Sequence, residues 1–107
     1  MLHVGRWQFL IIWQFRVRAG MEADFEATYG PAGDWARFFS EDKAYVATEL
    51  VRDAAQARHY LTLDFWASRA AYENFRATHA AEYRALDEKC EQLTEVEAEI
   101  GCFEHVG

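Results

Sequence analysis

Along residues 7–18, WQFLIIWQFRVR, polar side chains return at Gln14, Arg16 and Arg18, while Trp13, Phe15 and Val17 hold the opposite parity. Aromatic and β-branched residues at a period of two predict a strand whose odd positions face a core. Ala19 and Gly20 then punctuate the chain and the period lengthens. Met21, Phe25, Thr28 and Tyr29 fall on one side of a helix, with Glu22 and Asp24 in its first turn, where exposed amides favour negative charge. YGPAGD ends this helix, because Pro31 restricts Gly30 and has no amide hydrogen to donate. Asp34 has the short carboxylate of an N-cap for the short helix WARFF, whose Trp35, Phe38 and Phe39 would cover a sheet edge or a pocket mouth.

Two further strands are predicted over Tyr45–Arg52 and His59–Trp66, joined by the polar connection DAAQAR. In the second of them Leu61, Leu63 and Phe65 share one parity and are expected to face the helices. Tyr60, Thr62 and Trp66 would then form a semi-apolar face with no helix to cover it. Ser68 is the expected cap of a long helix whose stripe runs Tyr72, Phe75, His79, Tyr83, Leu86, Cys90, Leu93, as one helix or as two with a bend near Thr78–Ala81. Thr94 and Glu97 have capping-box spacing, so residues 94–99 read as a last helical turn or as an early strand. Ile100–Val106 is the final strand candidate, with Gly101 marking a bulge. The order is βαββαβ. An α+β, ferredoxin-like fold places both helices on one side of a four-stranded antiparallel sheet. The bare side predicts a homodimer through the sheet face, closing a dimeric α+β barrel.

Composition narrows the function. A chain of 107 residues is a single domain, and 51% hydrophobic residues, with four Trp, five Tyr and eight Phe, supply more apolar surface than one thin core hides. The formal net charge of −7 repels phosphate backbones, so nucleic acid is not an expected partner. FLIIW is far too short to span a bilayer, and MLHVGRW lacks a secretory cleavage pattern, so no membrane association and a cytoplasmic location are expected. Cys90 and Cys102 make no redox or zinc pair. No two of His3, His59, His79 and His105 are closely spaced, and no glycine-rich phosphate loop is present. No metal and no cofactor are expected.

The segments DFWASRAAYENFRATHAAEY (64–83), IIWQFRVRAGMEADFEATYG (11–30) and AYVATELVRD (44–53) together resemble the antibiotic biosynthesis monooxygenase superfamily of dimeric α+β barrels, over about residues 9–106. GDWARFF resembles an uncharacterised branch with an extra element after the first helix. The resemblance implies a cofactor-independent monooxygenase or related enzyme acting on a small aromatic phenol or quinol. Its alternatives are a non-catalytic dimeric small-molecule-binding protein and a haem-binding or haem-degrading member. The haem degraders use an Asn on the first strand, a Trp closing the third and a His on the next helix. Trp66 matches the second, Trp13 stands near the first, and His79 lies thirteen residues beyond Trp66. The cofactor-free oxygenases use Asn, Trp, Tyr and Arg; the single Asn here, Asn74, is on the helix.

His79 is the candidate catalytic residue, since an imidazole titrates near neutral pH and can take a phenolic proton, with Glu82 and Tyr83 close by in sequence. The alternatives are a partly buried helix histidine bonded to a carbonyl or tyrosine, and a ligand to a metal or haem. Trp66, Tyr72, Trp35, Phe38, Trp13 and Tyr83 are the candidate substrate-binding residues, or else structural plugs between strand and helix. Asp64 interrupts an apolar strand. A buried carboxylate demands a partner or a raised pKa, and Arg16 is the expected partner at the dimer face, with a catalytic base or a solvent-facing Asp as alternatives.

Overall fold

A computed structural model describes residues 6–107; residues 1–5, including the His3 weighed above, lie outside the described residues. The elements are β1 (Phe9–Val17), α1 (Glu22–Tyr29), α2 (Asp34–Phe39), β2 (Tyr45–Arg52), β3 (His59–Trp66), α3 (Arg69–Thr78), α4 (Ala80–Cys90) and β4 (Thr94–Glu104), with a 3-10 turn over Glu91–Leu93. The four strands form one antiparallel sheet in the order β2-β3-β1-β4. This is the ferredoxin-like α+β arrangement, with the helices on one side.

The long apolar stripe resolves into two helices. Ser68 caps α3 by accepting a hydrogen bond from the Ala71 amide at 3.1 Å. His79 then ends α3 and begins α4, with a backbone of φ −110°, ψ 30° that neither helix continues. Asp34 does not cap α2. Gly33 takes that position, and Asp34, the first helical residue, instead pairs with Arg37 at 3.1 Å. Gly33 is there because backbone oxygens crowd it: a Cβ would stand 2.3 Å from the Thr28 carbonyl oxygen and 2.6 Å from that of Ala27. Gly33→Ala must push α2 away from α1, and we expect it to cost about 1–3 kcal/mol of stability, read by urea unfolding.

β4 begins at Thr94, so residues 94–99 are strand, and the acidic run continues the sheet. Its pairing with β1 skips one residue between Gly101, opposite Ile12, and Glu99, opposite Trp13. The extra residue is Ile100, beside the glycine expected to mark a bulge. The same ladder also skips Glu95, between Val96 opposite Arg16 and Thr94 opposite Val17, and a bulge in β2 sets Tyr45 opposite Trp66 and Ala47 opposite Phe65, leaving Val46 unpaired.

The faces of β3 are the reverse of the sequence expectation. Phe9, Ile11, Phe15 and Val17 of β1 are buried beneath the helices, and the register places Trp66, Asp64 and Tyr60 opposite Phe9, Ile11 and Phe15. Tyr60, Thr62 and Trp66 are therefore core residues, each 3% exposed or less. Leu61 and Leu63 face outward instead, alongside Leu10 and Ile12 and the exposed Val51, Val96 and Phe103. Both parities of β3 are apolar enough to be buried, so alternation alone could not choose. The choice follows from Trp66, which ends the strand and packs against Tyr72 and Phe75 of α3, with ring centroids 5.4 Å from each. Phe65 is buried on the outer side by the edge of Trp7, at 5.1 Å.

Candidate functional site

Asp64 sits between sheet and helices, not at the outer face. Arg16 is on the opposite side of the sheet, with its guanidinium 3.3 Å from the His59 ring, so the expected Asp64–Arg16 pair does not form. The partner of Asp64 is Thr48, across the β2–β3 ladder, whose hydroxyl donates to Oδ1 at 2.6 Å. A threonine has one hydroxyl proton, so the 2.7 Å contact between Thr48 and Tyr45 is completed by the tyrosine as donor. The chain of donors runs Tyr45 to Thr48 to Asp64. The β2 bulge makes this run possible by bringing Tyr45 onto the same side as Thr48.

Burial pushes the Asp64 carboxyl from 3.8 up to about 6, against the opposing pull of the Thr48 hydrogen bond. No Lys or Arg forms an ion pair with it among the described residues. Burial also raises Tyr45, to about 12, and Tyr29 and Tyr83 further still, so these phenols remain protonated donors.

Asp64 lines a cavity together with Trp13 and Phe15 of β1, Thr48, Thr62, Tyr29, Trp35 and Phe39 of α2, and Tyr83 of α4; Asp87 and Glu97 complete it. Its volume is about 30 Å³. A single water needs roughly 10–15 Å³ on this measure, so the space holds one or two waters and no aromatic ring as it stands. Admitting a ring requires α2, which carries Trp35 and Phe39, to shift. An open cleft of about 250 Å³ adjoins it, sharing Tyr83 and Asp87 and adding Arg76 and Arg84. The Arg76 guanidinium lies 3.8 Å from the centre of the Tyr83 ring and donates to the Tyr72 hydroxyl at 2.6 Å. The indole nitrogens of Trp35 and Trp66 are buried with no hydrogen-bond partner among the described residues.

The sequence candidates therefore divide. Trp13, Trp35 and Tyr83 line the cavity. Trp66 and Phe38 lie one layer away, Trp66 against Phe39 and Tyr45, and Phe38 against Trp35 and Tyr83. Tyr72 reaches the mouth through Arg76. His79 does not line the cavity; its ring packs on Phe75 at 4.5 Å and its Nδ1 is 2.9 Å from Glu82. Among the described residues no imidazole lines the cavity to bind a haem iron; Asp64 and Thr48 supply polar groups inside it, and Arg76 stands in the adjoining cleft. Asp64 was singled out by its oddity in the strand. Thr48 and Arg76 carried no signal of their own, since a threonine in a strand and an arginine on a helix are ordinary.

The family profile described as antibiotic biosynthesis monooxygenase matches residues 8–88. No curated protein matches the chain by sequence. Among solved structures, PA3566 from Pseudomonas aeruginosa aligns at 12% identity with a TM-score of 0.65, covering 99% of this chain and 100% of that one. SO0527 from Shewanella oneidensis aligns at 15% identity and a TM-score of 0.64, covering 96% and 95%. A point mutant of SnoaB, a cofactor-independent oxygenase from Streptomyces nogalater, aligns at 21% identity and a TM-score of 0.62, covering 94% of each chain. These likenesses are of fold. No helix among the described residues is long and apolar enough to cross a membrane.

Proposed function

The chain belongs to the antibiotic biosynthesis monooxygenase family, and from that premise we propose that it is a cofactor-independent oxygenase that deprotonates a small phenol or quinol at Asp64. The observation that carries this reading is a carboxyl held near 6 in an aromatic cavity with no cation paired to it. An ordinary carboxylate is too weak a base to draw a proton from a phenol efficiently. Raising its pKa strengthens the base while leaving it mostly ionised at neutral pH. The Thr48 hydroxyl fixes the carboxylate's orientation, and Tyr45 behind it polarises that hydrogen bond.

The aromatic walls, Trp13, Phe39 and Tyr83, suit a flat ring. With the proton on Asp64, the phenolate is electron-rich enough to pass an electron to dioxygen. Arg76 at the mouth offsets the anion's charge, and closure of α2 keeps water from the reacting atoms. The likeness to SnoaB supports the absence of a cofactor in this reading.

Oxygen uptake should exceed autoxidation when the protein is added to a panel of hydroquinones and naphthols. Saturable binding without uptake would instead establish the second reading, a non-catalytic binding protein. That reading is favoured by the small cavity, which binding could open without turnover.

The outward face of the sheet, with Leu10, Ile12, Leu61 and Leu63 beside exposed Val51, Val96 and Phe103, supports a homodimer through that face. Light scattering should give about twice the 12.4 kDa chain mass, and Leu63→Asp should give the single-chain mass. A parent protein that is already monomeric would remove this assembly.

A further inference from the structure

We propose that Glu41, His79 and Glu82 form a binding site for a divalent transition-metal ion of the zinc class, which fastens the end of α2 to the α3–α4 junction. One donor atom from each of these residues lies within 4.8 Å of the other two. They come from two separate parts of the chain. Glu41 follows α2 by two residues, and its amide is tied to the Phe38 carbonyl at 3.2 Å. His79 is the junction residue, and Glu82 lies in the first turn of α4.

The imidazole is held in place before any ion arrives, packed on Phe75 at 4.5 Å and edge-on to Phe38 at 6.0 Å. Its side chain retains 27% of its surface, enough to be reached from solvent. Two carboxylates converge here, and apart from the 2.9 Å contact of Glu82 with His79 Nδ1, no Lys or Arg pairs with Glu41 or Glu82 among the described residues. Converging like charges without a cation are unfavourable, and a divalent ion relieves them. An imidazole with two carboxylates is a donor set for zinc or a neighbouring transition metal. Calcium and magnesium require more oxygen ligands than it offers. Water would complete the coordination.

Such an ion would cross-link the flap helix that carries Trp35 and Phe39 over the Asp64 cavity. Only that consequence for access rests on the proposed function; ion binding and helix ordering are measured without substrate, so either can fail alone.

Chelator-treated protein titrated with Zn²⁺ in a calorimeter should bind one ion per chain at this site. Glu41→Gln and His79→Ala should each weaken that binding by at least about tenfold, with Ca²⁺ and Mg²⁺ not competing. Matching circular dichroism of parent and Glu41→Gln, whose side chain is exposed, will establish that the fold is intact. Amide exchange over Trp35–Glu41 should slow on adding Zn²⁺ to the parent and not to Glu41→Gln. No zinc binding, or an unchanged affinity in either variant, would overturn the site. Binding without slower exchange would overturn the fastening.

Discussion

Asp64→Asn should lower oxygen uptake with a phenolic substrate by about 10²–10⁴-fold, the range a positioned general base contributes, while leaving the fold intact or more stable. The two halves of this expectation share one cause. The carboxyl titrates at about 6 in the folded chain against 3.8 in solution, so between these values the folded chain holds a proton that the unfolded chain has released. The stability due to this group is fully present below pH 4 and is lost as pH rises through 6. By neutral pH the cost of the ionised form reaches about 3 kcal/mol, at 1.36 kcal/mol per pKa unit. Asparagine keeps an oxygen to accept the Thr48 hydroxyl and carries no charge. Urea unfolding of Asp64→Asn should thus show up to about 3 kcal/mol more stability than the parent at pH 7.5, and none at pH 4. Undiminished uptake in this variant would move the base elsewhere, with Glu97 and Asp87, the other carboxyls lining the cavity, the first residues to test.

Trp66→Ala is expected to have the largest effect on folding. The side chain is 0% exposed and stands within 5.6 Å, centre to centre, of Phe39, Tyr45, Tyr72 and Phe75. Removing so large a ring from a packed core costs about 3–5 kcal/mol, a large share of the roughly 5–15 kcal/mol that holds a domain together. At roughly 4–8 °C per kcal/mol, melting should fall by about 15 °C or more. Trp66→Phe should cost less than half as much, because it keeps a ring and also removes an indole N–H that has no partner among the described residues. The pair of variants also tests which way β3 faces. If Trp66 pointed outward, alanine would change association between chains and spare the melting temperature of a monomer.

Much of the architecture could be read before the structure, because it rests on strong periodicities. The odd positions of β1, the Pro31 break and the Ser68 cap each follow from one local physical constraint, and each is as expected. The face of β3 was not legible for a definite reason. Its parity, carrying Asp64, read as a semi-apolar face awaiting a second chain, yet the carboxyl is accommodated beneath the helices by Thr48, sixteen residues away on a neighbouring strand. A hydrogen bond of that range leaves no trace in local alternation. The same holds for the site. The aromatic walls Trp13, Trp35 and Tyr83 were identifiable as large rings on the core-facing parity of a strand, on a short helix over a pocket mouth and on a helical apolar stripe, whereas the Asp64–Thr48–Tyr45 run needs the ladder register and the β2 bulge together. His79 has the right chemistry for a base, but a helix break turns it toward Glu82 and away from the cavity.

The unpaired Val46 has a bearing on how the length of this chain can change. Excising it would leave Tyr45 opposite Trp66 and Ala47 opposite Phe65, so an ordinary ladder would still seat both side chains as they are. Losing Glu49 instead, with Leu50–Arg52 held in register against β3, would send Thr48 to the opposite surface and strip Asp64 of its donor. Within one eight-residue strand, the loss of a residue is thus absorbed at Val46 and ruinous at Glu49.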